Sequence, residues 1–239
     1  MVQPYLIGAG AAAAATFAGW HSMSPVSQVF GGTFTGLPSA IEKRVAFTFD
    51  DGPNDPWTGR LLDVLARHNV HATFFMIGRY VAEHPQLARM VAEAGHEVAN
   101  HTFSHPNLIF TSPAQVRREI GDCRAALYDA GIQPAPYFRP PFGARRPDVL
   151  RIVEREAGLQ TIMWRASSQD WKLPGSTAII KKVSEQVRGG EVILMHDGSD
   201  RAFGWDRCHT INAVEELIVR HGYGAMTVGE MLDKAGGAI

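Results

Sequence analysis

The chain has 239 residues, 45% of them hydrophobic and 20% charged, enough for one sizeable core. A net charge of −1 leaves no electrostatic case for nucleic acid or an anionic membrane surface. Two cysteines, Cys123 and Cys208, are too few and too far apart for a disulfide framework or a thiolate metal site.

Residues 1–21 stand apart from the rest. Tyr5 to Trp20 (YLIGAGAAAAATFAGW) carries no charge, and the first charged residue of the chain is Glu42. The stretch reads as a signal or weak membrane-anchor segment, which puts the protein outside the cytoplasm: secreted, periplasmic or membrane-anchored. It is short for a span of roughly 20 apolar residues, and the basic start of a signal peptide is missing. The alternative is an N-terminal helix or arm packed on the domain. Residues 22–43, rich in Ser, Gly, Thr and Pro as far as Ala40, read as an irregular arm.

From residue 44 to 239 the pattern alternates within a single domain. Strand-like runs are Val45–Phe49, Ala72–Met76, Glu97–Ala99, Tyr137–Phe138, Thr161–Trp164, Val192–Met195 and Ala225–Val228. Helices are predicted over Trp57–His68, Pro113–Ala130, Pro147–Ala157, Ser176–Val187 and His209–His221. Seven strands alternating with helices predict a parallel α/β sheet, either a barrel or an open doubly wound sheet.

The polar residues fall on one side of this pattern. Asp50 and Asp51 end the first strand in VAFTFDDGP. His101 and His105 follow the third, Arg139 the fourth, Asp170 and Trp171 the fifth, and His196 ends the sixth. All lie at C-terminal strand ends, which in a barrel converge on one face. In NHTFSHP the histidines stand four apart, so a tight loop or one helical turn can aim both at one ion. A carboxylate from another strand end completes a set of two His and one carboxylate with open coordination positions, as catalytic zinc requires. Asp51 then serves the cation. Asp50 is left ionised to take a proton from an attacking water. Taken alone, DDG is a turn or helix cap.

TFDDGP, HTFSH, RPPFG, DW and LMH, in this order, resemble the five motifs of the polysaccharide deacetylases, the NodB-homology domain of carbohydrate esterase family 4. The resemblance runs from about Arg44 to the C-terminus. It implies a distorted (β/α)7-type barrel and one divalent ion, zinc in the first place, with cobalt, manganese or nickel as alternatives. The implied partner is an acetylated polysaccharide or oligosaccharide, and the protein acts as a monomer. The implied reaction removes acetyl groups from N-acetylated glycans of the chitin or peptidoglycan type. Alternatives are an O-acetyl esterase on xylan or a small acetylated metabolite, and a non-catalytic carbohydrate-binding relative. Carried over by motif, Asp50 is the general base and Asp51, His101 and His105 are the metal ligands. Arg139 orients Asp50, and His196 is the general acid. Leu194 and Trp171 form the pocket for the acetyl methyl.

The residues add their own argument at RPPFG. Pro140 and Pro141 lack N–H groups, so the first donor after Arg139 is the amide of Phe142. A rigid diproline that aims this N–H suits an oxyanion donor; the alternative is a stiff turn and nothing more. The family often has Tyr at the Phe142 position, a change that a backbone role survives.

One departure concerns SSQDW. The family's fourth motif usually reads Asp-x-x-Asp-Trp, and here Ser167 stands at the first Asp while Asp170 and Trp171 remain. The missing carboxylate normally partners the acid histidine. Unless Asp170, Asp197 or another carboxylate substitutes, His196 is expected to lose its proton at lower pH than in relatives that keep Asp. In the loop 196–210, Trp205 is placed to stack on a pyranose ring. Asp200, Arg201, Asp206 and Arg207 either bind hydroxyls or form ion pairs that shape the loop. His68, His71, His84, His96 and His221 read as surface or cap residues.

Overall fold

The computed structural model describes residues 15–236, so most of the segment read as signal or anchor lies outside the described residues. Residues 15–23 are helical, and no helix among the described residues is long and apolar enough to cross a membrane.

Seven parallel strands form one curled sheet: β1 (Ala46–Asp50), β2 (Thr73–Met76), β3 (Glu97–Asn100), β4 (Tyr137–Phe138), β5 (Gln160–Thr161), β6 (Ala166–Ser167) and β7 (Val192–His196). Their order is β5-β4-β3-β2-β1-β7-β6. The helices are α1 (Trp57–Arg67), α2 (Gly78–Glu83), α3 (Pro85–Glu93), α4 (Pro113–Asp129), α5 (Pro147–Arg151, continued as a wide turn to Glu156), α6 (Ser176–Gln186), α7 (Cys208–His221) and α8 (Val228–Lys234). This is the expected distorted barrel in a single domain.

Alternation along the strands decides what faces the site. On β1, Phe47 and Phe49 join the apolar layer beneath the helices, with Phe74 and Met76 of β2 and Ile193 and Met195 of β7. The opposite face carries Ala46, Thr48 and Asp50 into the interior of the curl, beside Phe75, Leu194 and His196. The ladder sets Asp50 directly opposite His196 and, on its other side, opposite Phe75. A carboxylate and an imidazole therefore meet at the same height on adjacent strands.

The helices follow their apolar spacing. Helix α1 buries Leu61, Leu62, Val64 and Leu65. Helix α4 starts at Ser112, whose hydroxyl accepts from the Gln115 N–H, and buries Val116, Ile120, Cys123 and Leu127.

Four features depart from expectation. Residues 78–93 form two helices broken at His84–Pro85, each too short to show a period. Where Thr161–Trp164 was expected, the strand is Gln160–Thr161, sharing only Thr161, and a further strand, Ala166–Ser167, pairs with Ile193 and Leu194. Asp170 thus follows the sixth strand and His196 ends the seventh. Ala225–Val228 is not a strand: a single bridge joins Ala225 to Val45, and then Thr227 and Glu230 form a reciprocal capping box that starts α8. Buried His96 is no surface residue; its Nδ1 accepts the Ala72 N–H, and burial pushes its pKa down to about 4.

The arm 22–43 is irregular, and it is also packed. The Phe34 N–H donates to Thr161 O and the Met163 N–H to Phe34 O, beside the β5 edge. The Val192 N–H donates to Thr35 O and the Leu37 N–H to Gly190 O, at the start of β7. One extended stretch thereby spans the open side of the curl, with Phe34 and Leu37 buried in the interior cluster.

Candidate active site

Beyond Asp50 the chain turns sharply. Asp51 takes φ 72, which side chains rarely adopt, and so do Thr102 (φ 67) and His105 (φ 61) in the loop after β3. Close packing explains Gly52: a Cβ there would lie 2.3 Å from the Asp197 carboxylate.

Asp51 Oδ1 lies 3.4 Å from His101 Nε2 and 3.2 Å from His105 Nε2. The three buried donor atoms fall within 4.8 Å of one another. Asp51 Oδ1 is buried with no hydrogen-bond partner, an orphan that a cation would satisfy. This donor set fits a divalent ion. Burial acts to raise the Asp51 pKa, but the two imidazoles outweigh it and hold the carboxyl well below its ordinary range. For His105, burial acts downward, and the Asp51 and Asp200 carboxylates still lift it to about 9. A bound cation would displace that proton.

The loop carrying these ligands is built by residues that sequence reasoning missed. Asn100 Oδ1 accepts the Thr102 N–H, and Asn100 Nδ2 donates to Ile120 O. Thr102 Oγ1 accepts the His105 N–H. Glu119, on α4, accepts from the Phe103 and Ser104 N–H groups and from the Ser104 hydroxyl. His101 Nδ1 pairs with Arg139 O at 2.7 Å, which turns Nε2 toward Asp51. Only the contiguity of N-H-T-F-S-H hinted at this scaffold; Glu119 had no signal on a helix read for its apolar face.

Arg139 is fully buried. Its Nη1 donates to Asp50 Oδ1 (2.7 Å) and Thr48 Oγ1 (2.8 Å), and its guanidinium lies 4.0 Å from the Phe75 ring centroid. This single charge-assisted bond ties Asp50 Oδ1, while Nε and Nη2 anchor the guanidinium to the Ile162 and Met163 carbonyls.

Opposite, His196 Nδ1 pairs with Asp170 Oδ1 at 2.7 Å, leaving Nε2 toward the cleft. Asp170 is itself saturated. Oδ1 also accepts from Ser168 Oγ, and Oδ2 accepts from the His196 N–H and Thr210 Oγ1. Burial works against the imidazolium of His196, yet the Asp170 carboxylate outweighs it and raises the pKa above its ordinary value. Asp170 thus supplies the carboxylate that partners His196. Asp197 does not serve: it accepts from Thr58 Oγ1 on the far side, and burial pushes it up to about 7. The exception attached to the Ser167 expectation is therefore met: Asp170 partners His196. The Ser167 hydroxyl bonds nothing, and its backbone pairs with the Gln186 side chain. Ser167→Asp is accordingly expected to leave the alkaline limb of the kcat–pH profile in place. A shift of that limb to higher pH would mean that position 167 still governs His196.

All the sequence-predicted site residues converge. Asp50, Asp51, His101, His105, Phe142, Trp171, Leu194, His196 and Trp205 line one cleft of about 330 Å³, while Arg139 and Asp170 stand directly behind it. Trp164 also lines the cleft. Trp171 meets His196 edge-on at 5.5 Å, and Phe142 meets His105 at 4.6 Å. Arg207 is a loop-shaping residue, since it donates to Gly198 O and Asp170 O; Asp206 accepts the Cys208 N–H. Asp200 approaches His105 Nδ1 at 3.4 Å, and Arg201 lines the rim.

The profile of the polysaccharide deacetylase family matches residues 38–162. A chitooligosaccharide deacetylase of Sinorhizobium fredii is 40% identical over 196 residues, covering 77% of this chain and 86% of the relative. A peptidoglycan-N-acetylglucosamine deacetylase of Bacillus cereus is 35% identical over 196 residues, covering 80% and 89%. Among solved structures, wild-type BA3943 of Bacillus anthracis, described as a CE4 family pseudoenzyme, matches with a TM-score of 0.74 at 29% identity. That match covers 84% of this chain and 68% of the other.

Proposed function

The chain belongs to the polysaccharide deacetylase family, and we propose that its cleft hydrolyses N-acetyl groups by acid–base chemistry shared between β1 and β7. It is a polysaccharide N-deacetylase, acting on glycans of the chitin or peptidoglycan type. The observation that carries the mechanism is the pairing across one ladder position of Asp50, held by Arg139, with His196, held by Asp170.

Asp51, His101 and His105 would hold the cation, and zinc suits two imidazoles and a carboxylate with positions left open. When bound, such an ion supplies Lewis acidity toward the acetyl carbonyl and the attacking water. Leu194 and Trp171 receive the acetyl methyl and keep bulk water from it. Asp50 Oδ2 takes the proton of the attacking water while Oδ1 stays on Arg139. The Phe142 N–H faces the oxygen that gains charge in the tetrahedral transition state. His196 then delivers its proton through Nε2 to the departing amine. An amine cannot leave as the anion, so a strongly supported imidazolium favours amide over ester cleavage. The uncharged residues 1–21 support a placement outside the cytoplasm.

The test is acetate release from N-acetylated chitooligosaccharides against acetylated xylan, with metal replete. Faster release from the amide substrate is expected, and a preference for the ester would overturn the reading. Elemental analysis is expected to find one divalent ion per chain, and a strong chelator to stop turnover until zinc is returned. Metal-free protein that still turns over would remove the Asp51–His101–His105 site from the mechanism.

A further inference from the structure

Three arginines are almost wholly buried, Arg139, Arg145 and Arg207. Arg139 has Asp50, whereas Arg145 makes no ion pair among the described residues. A guanidinium taken out of water without a counter-ion is costly, and its place must be held by hydrogen bonds. Those bonds all go to backbone carbonyls. Nη1 donates to Gly143 O at 3.0 Å, and Nη2 donates to Ser24 O at 2.6 Å and Ser27 O at 3.0 Å. The Arg145 N–H adds a bond to Ser22 O. Burial alone draws the group down to about 10.

What this fork joins is informative. Gly143 and Phe142 are consecutive left-handed residues, φ 68 and φ 59, and the second is not glycine. The bonds that close this turn run from the Gly143 and Ala144 N–H groups to Pro140 and Pro141. The Phe142 N–H takes no part in these bonds, and Phe142 lines the cleft. A left-handed turn of this kind persists only where its surroundings hold it. On one side a Cβ at Gly143 would lie 2.8 Å from the Trp164 ring. On the other stands Arg145, anchored in turn to Ser22–Ser27. That segment precedes the span matched by the family profile.

We propose that Arg145 is a positioning residue that couples the segment Ser22–Ser27 to the Pro140–Gly143 turn and so sets the aim of the Phe142 N–H. This rests on the reading of that N–H as the oxyanion donor. Residues 22–27 are then a working part of the site rather than a tether. The fork matters as well as the charge: two nitrogens reach opposite ways, to Gly143 and to the segment, which a single ammonium cannot do.

The test compares Arg145→Ala, Arg145→Lys and Gly143→Ala on an N-acetylated chitooligosaccharide at saturating metal. Melting temperature and metal stoichiometry are measured alongside. A misplaced donor is expected to lower kcat roughly tenfold to a hundredfold in Arg145→Ala, with KM within about twofold. Millimolar guanidinium ion is expected to restore much of it by refilling the space. Arg145→Lys keeps charge and bulk and should fold; it is expected to lose kcat with KM held. Gly143→Ala disturbs the turn directly. If it loses kcat while both Arg145 variants keep theirs, the coupling is wrong and the donor stands. If Gly143→Ala keeps full kcat, the donor reading itself falls. Losses in kcat, KM and metal content together, without guanidinium rescue, would reduce Arg145 to a folding role and overturn the proposal.

Discussion

Asp50→Asn is expected to lower kcat by roughly 10²–10⁴, the usual contribution of a general base, while the protein still binds one divalent ion. The division of labour between the adjacent carboxylates underlies this. Asp51 points Oδ1 at both histidines, whereas Asp50 places Oδ1 on the Arg139 fork, and its Oδ2 lies 3.7 Å from His101 Nε2. An asparagine keeps the shape and leaves an amide oxygen for Arg139, but it cannot take a proton. Removing the partner of a buried charge outright costs about 3–5 kcal/mol, so Asp50→Ala would confuse stability with chemistry. Asparagine limits that cost because Thr48 and the Ile162 and Met163 carbonyls still hold the guanidinium. The measurement is kcat with melting temperature and metal content determined on the same sample. A folded, metal-bound variant within tenfold of wild type would show that Asp50 is not the base.

The chemistry of this site was legible because a parallel sheet makes it so. Strand ends converge, and the polar residues that carry the chemistry end or follow the apolar strand runs, as in FTFDD and ILMH. What stayed hidden has physical reasons. Gln160–Thr161 and Ala166–Ser167 are two-residue strands, too short for any period, so the edges of the sheet and the position of Asp170 could not be read. The arm holds the curl through main-chain bonds of Phe34, Thr35 and Leu37, which leave no side-chain signature. Its Ser and Gly content describes a loop and is silent on what the loop touches. Glu119 and Asn100 support the metal loop from residues chosen for bonds to backbone. Ser167 left the partner of His196 open for a related reason. Motif position fixes where the chain passes, but a carboxylate three residues on can take the same partner when the turn brings it there.

Asp170→Asn is expected to lower kcat on the order of 10²–10⁴, by removing both the orientation and the charge of the general acid. The carboxylate now accepts from four donors: the His196 ring, the His196 N–H, Ser168 and Thr210. An asparagine can present its amide nitrogen to Nδ1, and the ring then keeps its proton on Nε2 only as the neutral tautomer. The sign of the pH effect follows. Burial already opposes the imidazolium, and Asp170 is the first of the groups that outweigh it. Without that carboxylate the His196 pKa falls, and a cation held by Asp51, His101 and His105 pushes it the same way. The acid form is lost earlier as pH rises, so the alkaline limb of the kcat profile moves to lower pH. Stability responds in a matching window. The raised His196 contributes fully below its ordinary 6.5 and loses that contribution as pH climbs through its folded value. The lowered Asp170 contributes above its ordinary 3.8 and loses it as pH falls through its folded value. Between those limits the pair is charged, and there the melting temperatures of wild type and Asp170→Asn should differ most. The decisive measurement is the pair of kcat–pH curves at saturating metal, joined to melting temperature across the same range. Superimposed alkaline limbs in a folded, metal-bound Asp170→Asn protein would mean that the limb reports another group, and His196 would lose its place as the acid.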